Sequence, residues 1–275
     1  MLTNLKNNIE NPYRFNVGYR IGFSGLMPDG SLGLPQFMSY VQECSLFHTF
    51  SIDGAFAYYE KMNWVWVLTH WQVEITDYPK VGDNVNIATW PVQFKGYFAE
   101  RGFSANNAAG DIILSANSNW VLLDRNSYKP IRPNDEVCNK YGSCSPLIIP
   151  KDFALPKHVE TDFMPLSCHN YTTVRRDIDT NMHVNNTKYL EWLYCYLPDE
   201  IFQNYRAKSL KVAYKKETLL GDALDIRLFK RDAGDNVEIF AIIEKDGQVA
   251  TEIYVELRPA GWRGVQGADF AALAR

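Results

Sequence analysis

The chain repeats one arrangement of elements twice, and this repetition limits the folds that it can adopt. In each half, a strand-like stretch leads through a polar turn into a helical pattern, and about four strand-like runs follow. Matching Gly-Asp turns recur in the two halves, as Val81-Gly82-Asp83 and Leu220-Gly221-Asp222. Alternating strands beside one long helix favour a curved antiparallel sheet wrapped around that helix. The sequence therefore predicts an α+β protein that contains two similar units.

The first half is predicted to contain one long helix and five strand-like runs. A helix is predicted from Leu34 to about Phe50, because apolar residues recur there at helical spacing and Pro35 suits the first helical turn. The strand-like runs of this half are 14–23, 64–75, 84–94, 99–104 and 112–124.

The second half is predicted to contain a helix from Asn186 to Leu197, which Asn185 or Asn186 can cap and which Pro198 ends. Its strand-like runs are 171–176, 209–218, 223–230, 237–245 and 248–257. The proline-containing stretch 134–157 is interpreted as a linker. The predicted organisation is an N-terminal unit, a C-terminal unit and a tail of unassigned role, at residues 1–145, 146–260 and 261–275.

Composition excludes some classes of function. The net charge of -4 over 275 residues does not favour a nucleic-acid partner, because surfaces that bind phosphates are usually basic. Five scattered cysteines do not form a disulfide framework. The sequence contains no apolar run of 18 residues and no signal peptide pattern, so no membrane span is expected and the predicted location is cytoplasmic.

The turns that precede the two helices differ where chemistry is expected. When 29–34 is aligned without gaps on 179–184, both turns begin with an acid, Ser31 lies opposite Asn181, and Gly33 lies opposite His183. A helix amino terminus offers free N–H groups to an oxyanion, a carboxamide adds a donor, and an imidazole exchanges protons near neutral pH. One site per chain, in the second half, is predicted. On spacing alone, a histidine that only hydrogen-bonds within its turn remains an alternative.

The run 177–186, followed by Tyr189, Trp192 and Pro198, resembles the signature of the acyl-acyl-carrier-protein thioesterases, a family of plant plastid enzymes and bacterial relatives. The resemblance extends over roughly 12–259. It implies a tandem double hotdog fold, and hydrolysis of fatty acyl thioesters of acyl carrier protein (ACP) to free fatty acids. It also implies no metal and no organic cofactor. The N-terminal unit is implied to be non-catalytic and to hold the acyl chain.

The resemblance further implies four catalytic positions. Three are Asp179, Asn181 and His183, and the fourth is an acid on the first long strand after the second helix, for which Glu217 is the candidate. Plant members commonly have a cysteine directly after this acid, whereas Thr218 stands there in this chain, which makes a cysteine nucleophile doubtful.

The expected mechanism is attack by water without a covalent intermediate. Glu217, helped by His183, is expected to activate the water, and Asp179 to orient Asn181 or His183. Asn181 and the backbone N–H groups around 184–185 are expected to hold the thioester carbonyl. Direct attack by Glu217 to give an anhydride is an alternative. Alternative functions are an acyl-coenzyme A thioesterase, a dehydratase on a hotdog scaffold, and a non-catalytic acyl-binding protein. Both a monomer and a homodimer are compatible with the sequence.

Overall fold

The computed structural model describes residues 13–142, 147–157 and 159–260. The strands are β1 (Phe15–Arg20), β2 (Trp64–Ile75), β3 (Asn84–Lys95), β4 (Phe98–Asn106), β5 (Ile112–Asp124), β6 (Pro130–Ile131), β7 (Met164–Thr172), β8 (Tyr205–Tyr214), β9 (Ala223–Ala233), β10 (Asn236–Lys245) and β11 (Gln248–Pro259). The helices are α1 (Leu34–Ser51), α2 (Ala55–Met62), α3 (Asp135–Tyr141), α4 (Val159–Asp162), α5 (Lys188–Cys195) and α6 (Asp199–Asn204), with a 3-10 turn at Arg175–Asp177. The boundary expected at 145/146 and the tail 261–275 lie outside the described residues.

Ten strands form one continuous sheet in the order β1-β3-β4-β5-β2-β8-β11-β10-β9-β7, and β6 pairs with β5 beside this path. The first five strands of this order come from the first half of the chain, and the last five repeat the same arrangement in the second half. The halves meet where β2 pairs antiparallel with β8, with Trp71 opposite Val212. The predicted α+β class and the repetition of one plan are therefore confirmed.

The two long helices share one hydrophobic core with both halves of the sheet. Phe37 and Val41 of α1 and Leu193 of α5 are fully buried in this core, together with residues of β2 and β8. Gln42 of α1 also donates a hydrogen bond of 3.4 Å from Nε2 to Oδ1 of Asn185, which precedes α5. Packing between the halves therefore fixes the start of α5 relative to α1. Within the described ranges, no helix has the length and apolarity needed to cross a membrane.

The predicted elements of the first half agree closely with the structure, and those of the second half require corrections. β7 covers Met164–Thr172, so the strand predicted over 171–176 begins too late and includes the first two residues of the 3-10 turn. β8 ends at Tyr214 and does not continue to 218, because the N–H groups of Lys215 and Lys216 both donate to the carbonyl of Ala250.

Helix α5 begins at Lys188, two residues later than predicted. The Asn185 side chain accepts hydrogen bonds of 3.0 Å from the Thr187 N–H and hydroxyl. The residue at the N-cap of α5 is Thr187, without a side-chain capping bond, so the prediction that Asn185 or Asn186 caps this helix was wrong. Pro198 follows the helix, as predicted, and then itself precedes α6. The short helices α2, α3 and α6 were not predicted, and α3 occupies part of the stretch interpreted as a linker.

Candidate active site

The structure brings His183 and Glu217 together from two separate loops. Nε2 of His183 lies 3.2 Å from Oε2 of Glu217. The side chains are 31% and 48% exposed, so water reaches both groups. Glu217 was expected on a strand, but it lies in the loop three residues beyond the end of β8 at Tyr214. The early end of β8 thus frees this carboxylate to approach the imidazole.

Asp179 shapes the turn that contains Asn181 and His183. Its Oδ1 accepts hydrogen bonds from the backbone N–H of Asn181 at 2.8 Å and of His183 at 3.4 Å. The turn also requires a left-handed backbone at Met182, whose φ is 66°. Asp179 therefore orients the backbone that carries the two side chains, and its bonds go to that backbone instead of to the imidazole or the carboxamide.

Thr218 ties the loop of Glu217 to the turn of His183. Its carbonyl accepts the N–H of Val184 at 2.9 Å. Its hydroxyl lies 2.6 Å from the hydroxyl of Tyr189 on α5, and both side chains are buried. Burial raises the pKa of Tyr189 to about 12, so this hydroxyl stays neutral and remains a hydrogen-bond partner. These bonds hold the two loops at a fixed separation.

The backbone N–H groups of Val184 and Asn185, expected to hold the thioester carbonyl, are already engaged. Val184 donates to the Thr218 carbonyl, and Asn185 donates to the Asp177 carbonyl at 2.8 Å. The expectation for these two groups was therefore wrong, because the turn uses them to close on the neighbouring loops. The next N–H along the chain, that of Asn186, makes no hydrogen bond with the described residues.

Arg125 is a residue of this site that the sequence did not reveal. It follows β5 in the N-terminal half, and its Nη2 lies 3.5 Å from Oδ1 of Asn181. Its Nε donates to the carbonyl of Trp64 at 3.3 Å. The guanidinium thus connects the turn of the second half to β2 of the first half. Nothing in the local sequence around Arg125 indicates such a contact, since it depends on how the halves pack.

Hydrogen bonds show which turn residues of the two halves correspond. In the second half, the N–H of Asp179 donates to the His183 carbonyl at 2.8 Å, and in the first half the N–H of Met27 donates to the Ser31 carbonyl at 2.7 Å. The left-handed backbone of Met182 is likewise matched by Gly30, whose φ is 78°. The gapless alignment, which paired Asp29 with Asp179, was therefore wrong by two residues.

This correction changes which residue of the first half corresponds to each candidate catalytic residue. Ser31 corresponds to His183. Leu32 donates to the Pro79 carbonyl as Val184 donates to that of Thr218, so Tyr78 corresponds to Glu217. Tyr78 is buried, and its hydroxyl donates to the carbonyl of Ala207 at 2.9 Å. The first half thus has neither an imidazole nor a carboxylate at these two positions.

Each half of the chain matches a model of a known protein family. The model of the acyl-ACP thioesterase N-terminal domain matches residues 12–141, and that of the C-terminal domain matches residues 163–259. A chloroplastic acyl-[acyl-carrier-protein] hydrolase of Cuphea viscosissima is 28% identical over 221 residues, covering 76% of this chain and 53% of the relative. An oleoyl-acyl carrier protein thioesterase of Arabidopsis thaliana is 31% identical over 174 residues, covering 60% of this chain and 47% of the relative. The chain spans about half the length of the curated relatives that it matches.

Two solved structures are similar over nearly the whole chain. One is an acyl-ACP thioesterase from Bacteroides thetaiotaomicron, with 22% identity, a TM-score of 0.76, and coverage of 90% of this chain and 98% of that chain. The other is a 12:0-ACP thioesterase from Umbellularia californica, with 22% identity, a TM-score of 0.80, and coverage of 90% and 95%. At this level of identity the likeness concerns the fold, and it confirms the predicted tandem double hotdog.

Proposed function

The chain belongs to the acyl-ACP thioesterase family, and we propose that it hydrolyses fatty acyl thioesters of ACP to free fatty acid and the carrier protein with its free thiol. The observation that carries this proposal is the contact between His183 and Glu217 in front of α5, with Asn181 in the same turn. An imidazole, a carboxylate and a neutral amide in one accessible place suit the hydrolysis of a thioester.

In the proposed reaction, a water molecule lies against the carboxylate of Glu217 and attacks the thioester carbonyl carbon. Glu217 takes a proton from this water, and the N–H of His183 holds the carboxylate in position through the 3.2 Å contact. The C–S bond of the tetrahedral intermediate then breaks. The leaving thiolate takes the proton back from the Glu217–His183 pair, which returns the enzyme to its starting state.

The negative charge that develops on the carbonyl oxygen needs donors in a fixed position. The amide of Asn181 is the proposed side-chain donor, because Arg125 approaches its Oδ1 and leaves the NH₂ group for the substrate. The unengaged N–H of Asn186 is the proposed backbone donor, because the N–H groups of Val184 and Asn185 are already bonded. Asp179 is proposed as a positioning residue, since it holds the backbone of Asn181 and His183.

The proposed partner is an ACP that carries a fatty acyl chain. The relatives named above are hydrolases of this thioester. Arg175 and Arg176 lie exposed in the 3-10 turn just before the catalytic turn, and they suit an acidic carrier. Two lysines of the second half suit it less, because Lys211 and Lys215 already pair with Asp152 and Glu252. Salt should therefore raise the KM for acyl-ACP, and an unchanged KM would argue against docking on the arginines.

The division of labour between the units is also a proposal. The C-terminal unit carries Asn181, His183 and Glu217, and the N-terminal unit is proposed to hold the acyl chain. Support comes from Ser31 and Tyr78, which stand where a second catalytic pair would need an imidazole and a carboxylate. The oligomeric state, monomer or homodimer, and the cytoplasmic location stay predictions.

The deciding experiment measures hydrolysis of a panel of acyl-ACP thioesters, with acyl-coenzyme A thioesters of the same chain lengths beside it. Wild type is compared with His183→Ala, Glu217→Gln and the matched control Ser31→Ala, which alters the corresponding position of the first unit. We expect each of the first two variants to lose about 100-fold or more in kcat while remaining folded, as is typical for loss of a general base. Ser31→Ala should retain the wild-type rate.

Each alternative gives a different result. Faster turnover of the coenzyme A thioesters would favour an acyl-coenzyme A thioesterase. Saturable binding of acyl ligands without turnover by wild type would contradict the enzyme proposal and favour a binding protein. A Glu217 peptide that gains the mass of the acyl group in acid-quenched single turnovers would replace water attack with the anhydride route.

A further inference from the structure

A cleft in the N-terminal unit contains a buried charge that the proposed reaction does not use. The cleft lies between the second half of α1, strands β2–β5 and α3, and its empty volume including the open mouth is about 420 Å³. Trp66, Phe94 and Trp120 provide apolar walls, and Arg101 lies among them. Most of the lining surface is apolar, as in sites for small ligands, and its charged residues are Arg101 and Glu100.

Arg101 enters this cleft from β4, and the residue is buried, at 9% exposure. Nη1 lies 2.8 Å from Nδ1 of His48 and donates to the hydroxyl of Thr89 at 3.2 Å. Burial, followed by the charge of Arg101, lowers the pKa of His48 to about 3, so the imidazole is neutral and accepts this bond. The other face of the group lies over the ring of Tyr141, 5.6 Å from its centroid.

None of these contacts supplies a negative charge. Arg101 forms no salt bridge within the described residues. Glu100 is its neighbour in sequence, but that carboxylate binds Lys151 and accepts a hydrogen bond of 2.8 Å from Nε2 of Gln93. A buried charge without a counter-ion is costly, and an arginine cannot escape the cost by losing its proton.

We infer that this cleft takes a carboxylate attached to an aliphatic chain, with Arg101 as its counter-ion and the aromatic walls around the chain. A methyl group in the same place would leave the guanidinium uncompensated, whereas a carboxylate neutralises it and accepts two of its N–H groups. The carboxylate can belong to the far end of the acyl chain that is being hydrolysed, or to a separate free fatty acid. Both sources present the same chemistry to Arg101.

The cleft is within reach of the catalytic turn along β2. Arg125 bridges from Oδ1 of Asn181 to the carbonyl of Trp64 at the start of this strand. Trp66, which lines the cleft, lies two residues further along the same strand, a distance of about 7 Å. An acyl group held at Asn181 can therefore extend toward Arg101. This part of the inference rests on the proposed function, whereas binding of a separate carboxylate does not.

The test uses the full chain in two arms. In the first, wild type hydrolyses ACP thioesters of equal carbon number that end in a carboxylate or in a methyl group. In the second, quenching of tryptophan fluorescence measures binding of a free fatty acid and of the primary alcohol of the same length, without turnover. Each arm is repeated with Arg101→Met, which keeps the volume and removes the charge, and with the control Arg14→Met. Arg14 stacks on Trp90 nearby and does not line the cleft.

We expect wild type to prefer the carboxylate by about tenfold or more in at least one arm, as a charge-assisted pair in a buried place allows. Arg101→Met should abolish this preference, and Arg14→Met should keep it. Preference in the first arm identifies the end of the acyl chain as the source, and preference in the second arm alone identifies a separate fatty acid. The inference is overturned if wild type hydrolyses both kinds of thioester equally fast and binds the fatty acid and the alcohol equally tightly. This holds even if Arg101→Met does not fold. If wild type hydrolyses none of the thioesters but still binds the fatty acid more tightly than the alcohol, the proposed function is refuted and the assignment of the cleft stands.

Discussion

The hydrogen bond between Tyr189 and Thr218 gives a quantitative prediction about the geometry of the site. The two hydroxyls lie 2.6 Å apart, and the residues are 2% and 1% exposed. Tyr189→Phe removes one hydroxyl and leaves the other buried without this partner. Thr218→Val does the reverse, at nearly unchanged volume. Each single change should therefore lower the free energy of unfolding by about 1–3 kcal/mol, the cost of an unsatisfied buried polar group.

The double variant should cost less than the sum of the single variants, because it leaves neither hydroxyl unpaired. Loss of the bond itself costs only about 0.5–1.5 kcal/mol. The coupling energy between the two positions, which is the sum of the single losses minus the loss in the double variant, is thus expected to be about 1.5–4.5 kcal/mol. Because the Thr218 carbonyl also accepts the Val184 N–H and Glu217 precedes it, both single variants should lower kcat more than they raise KM.

Equilibrium unfolding in urea measures these values, with equal m-values in all variants as the condition for comparing them. Tyr78→Phe provides a matched control. It also removes a buried tyrosine hydroxyl, which lies in the first half and donates to the Ala207 carbonyl instead of to Thr218. It should combine additively with Thr218→Val. If Tyr189→Phe and Thr218→Val also add within about 0.5 kcal/mol, the two hydroxyls do not interact and the proposed link between the loops is wrong.

Two further predictions concern the left-handed backbone of Met182 and the buried imidazole of His48. Met182 is 69% exposed and has a φ of 66°, whereas Gly30 stands at the corresponding turn position of the first half. Because glycine adopts a positive φ without strain, Met182→Gly should raise the free energy of unfolding by about 0.5–1 kcal/mol at unchanged activity. A lower melting temperature of the variant would contradict this prediction. The folded-state pKa of His48 is about 3, below its unfolded value of about 6.5, so its contribution to stability is present above pH 6.5 and is lost as pH falls toward 3. When the pH is lowered from 6.5 to 5, the free energy of unfolding of His48→Gln, measured in urea, should therefore fall by about 1.5 kcal/mol less than that of wild type. An equal fall in both proteins would show that the imidazole is not shielded from protonation.

The fold was largely predictable from the sequence because its elements carry strong local signals. The predicted bounds of β2 and β5 agree with the structure, since turn residues separate long runs of strand-forming residues there. The helix predicted from Leu34 agrees for the same reason, with a regular apolar pattern and a proline in its first turn. Short helices such as α2 and α3 were missed, because seven or eight residues give little periodicity.

The site was less predictable from the residues alone. Glu217 lies beside two lysines and is 48% exposed, so neither its neighbours nor its burial distinguish it from a surface acid. Only the family resemblance predicted it. The alignment of the two turns was wrong because Asp29 and Asp179 are the same residue type in different places of the hydrogen-bond pattern, and that pattern appears only in coordinates. Arg125 was missed because its contact crosses between the units.

The single sheet that joins two unlike halves also determines how the protein can evolve. In a symmetric dimer one gene specifies both copies, so a substitution in one turn appears in the other as well. In this chain, separate codons encode the corresponding positions 31 and 183, and likewise positions 78 and 217. A mutation that improves the cleft around Arg101 is therefore not copied into the unit that contains His183. Under the proposed roles of the two units, substrate choice and chemistry can change independently while the pairing of β2 with β8 keeps them in one molecule.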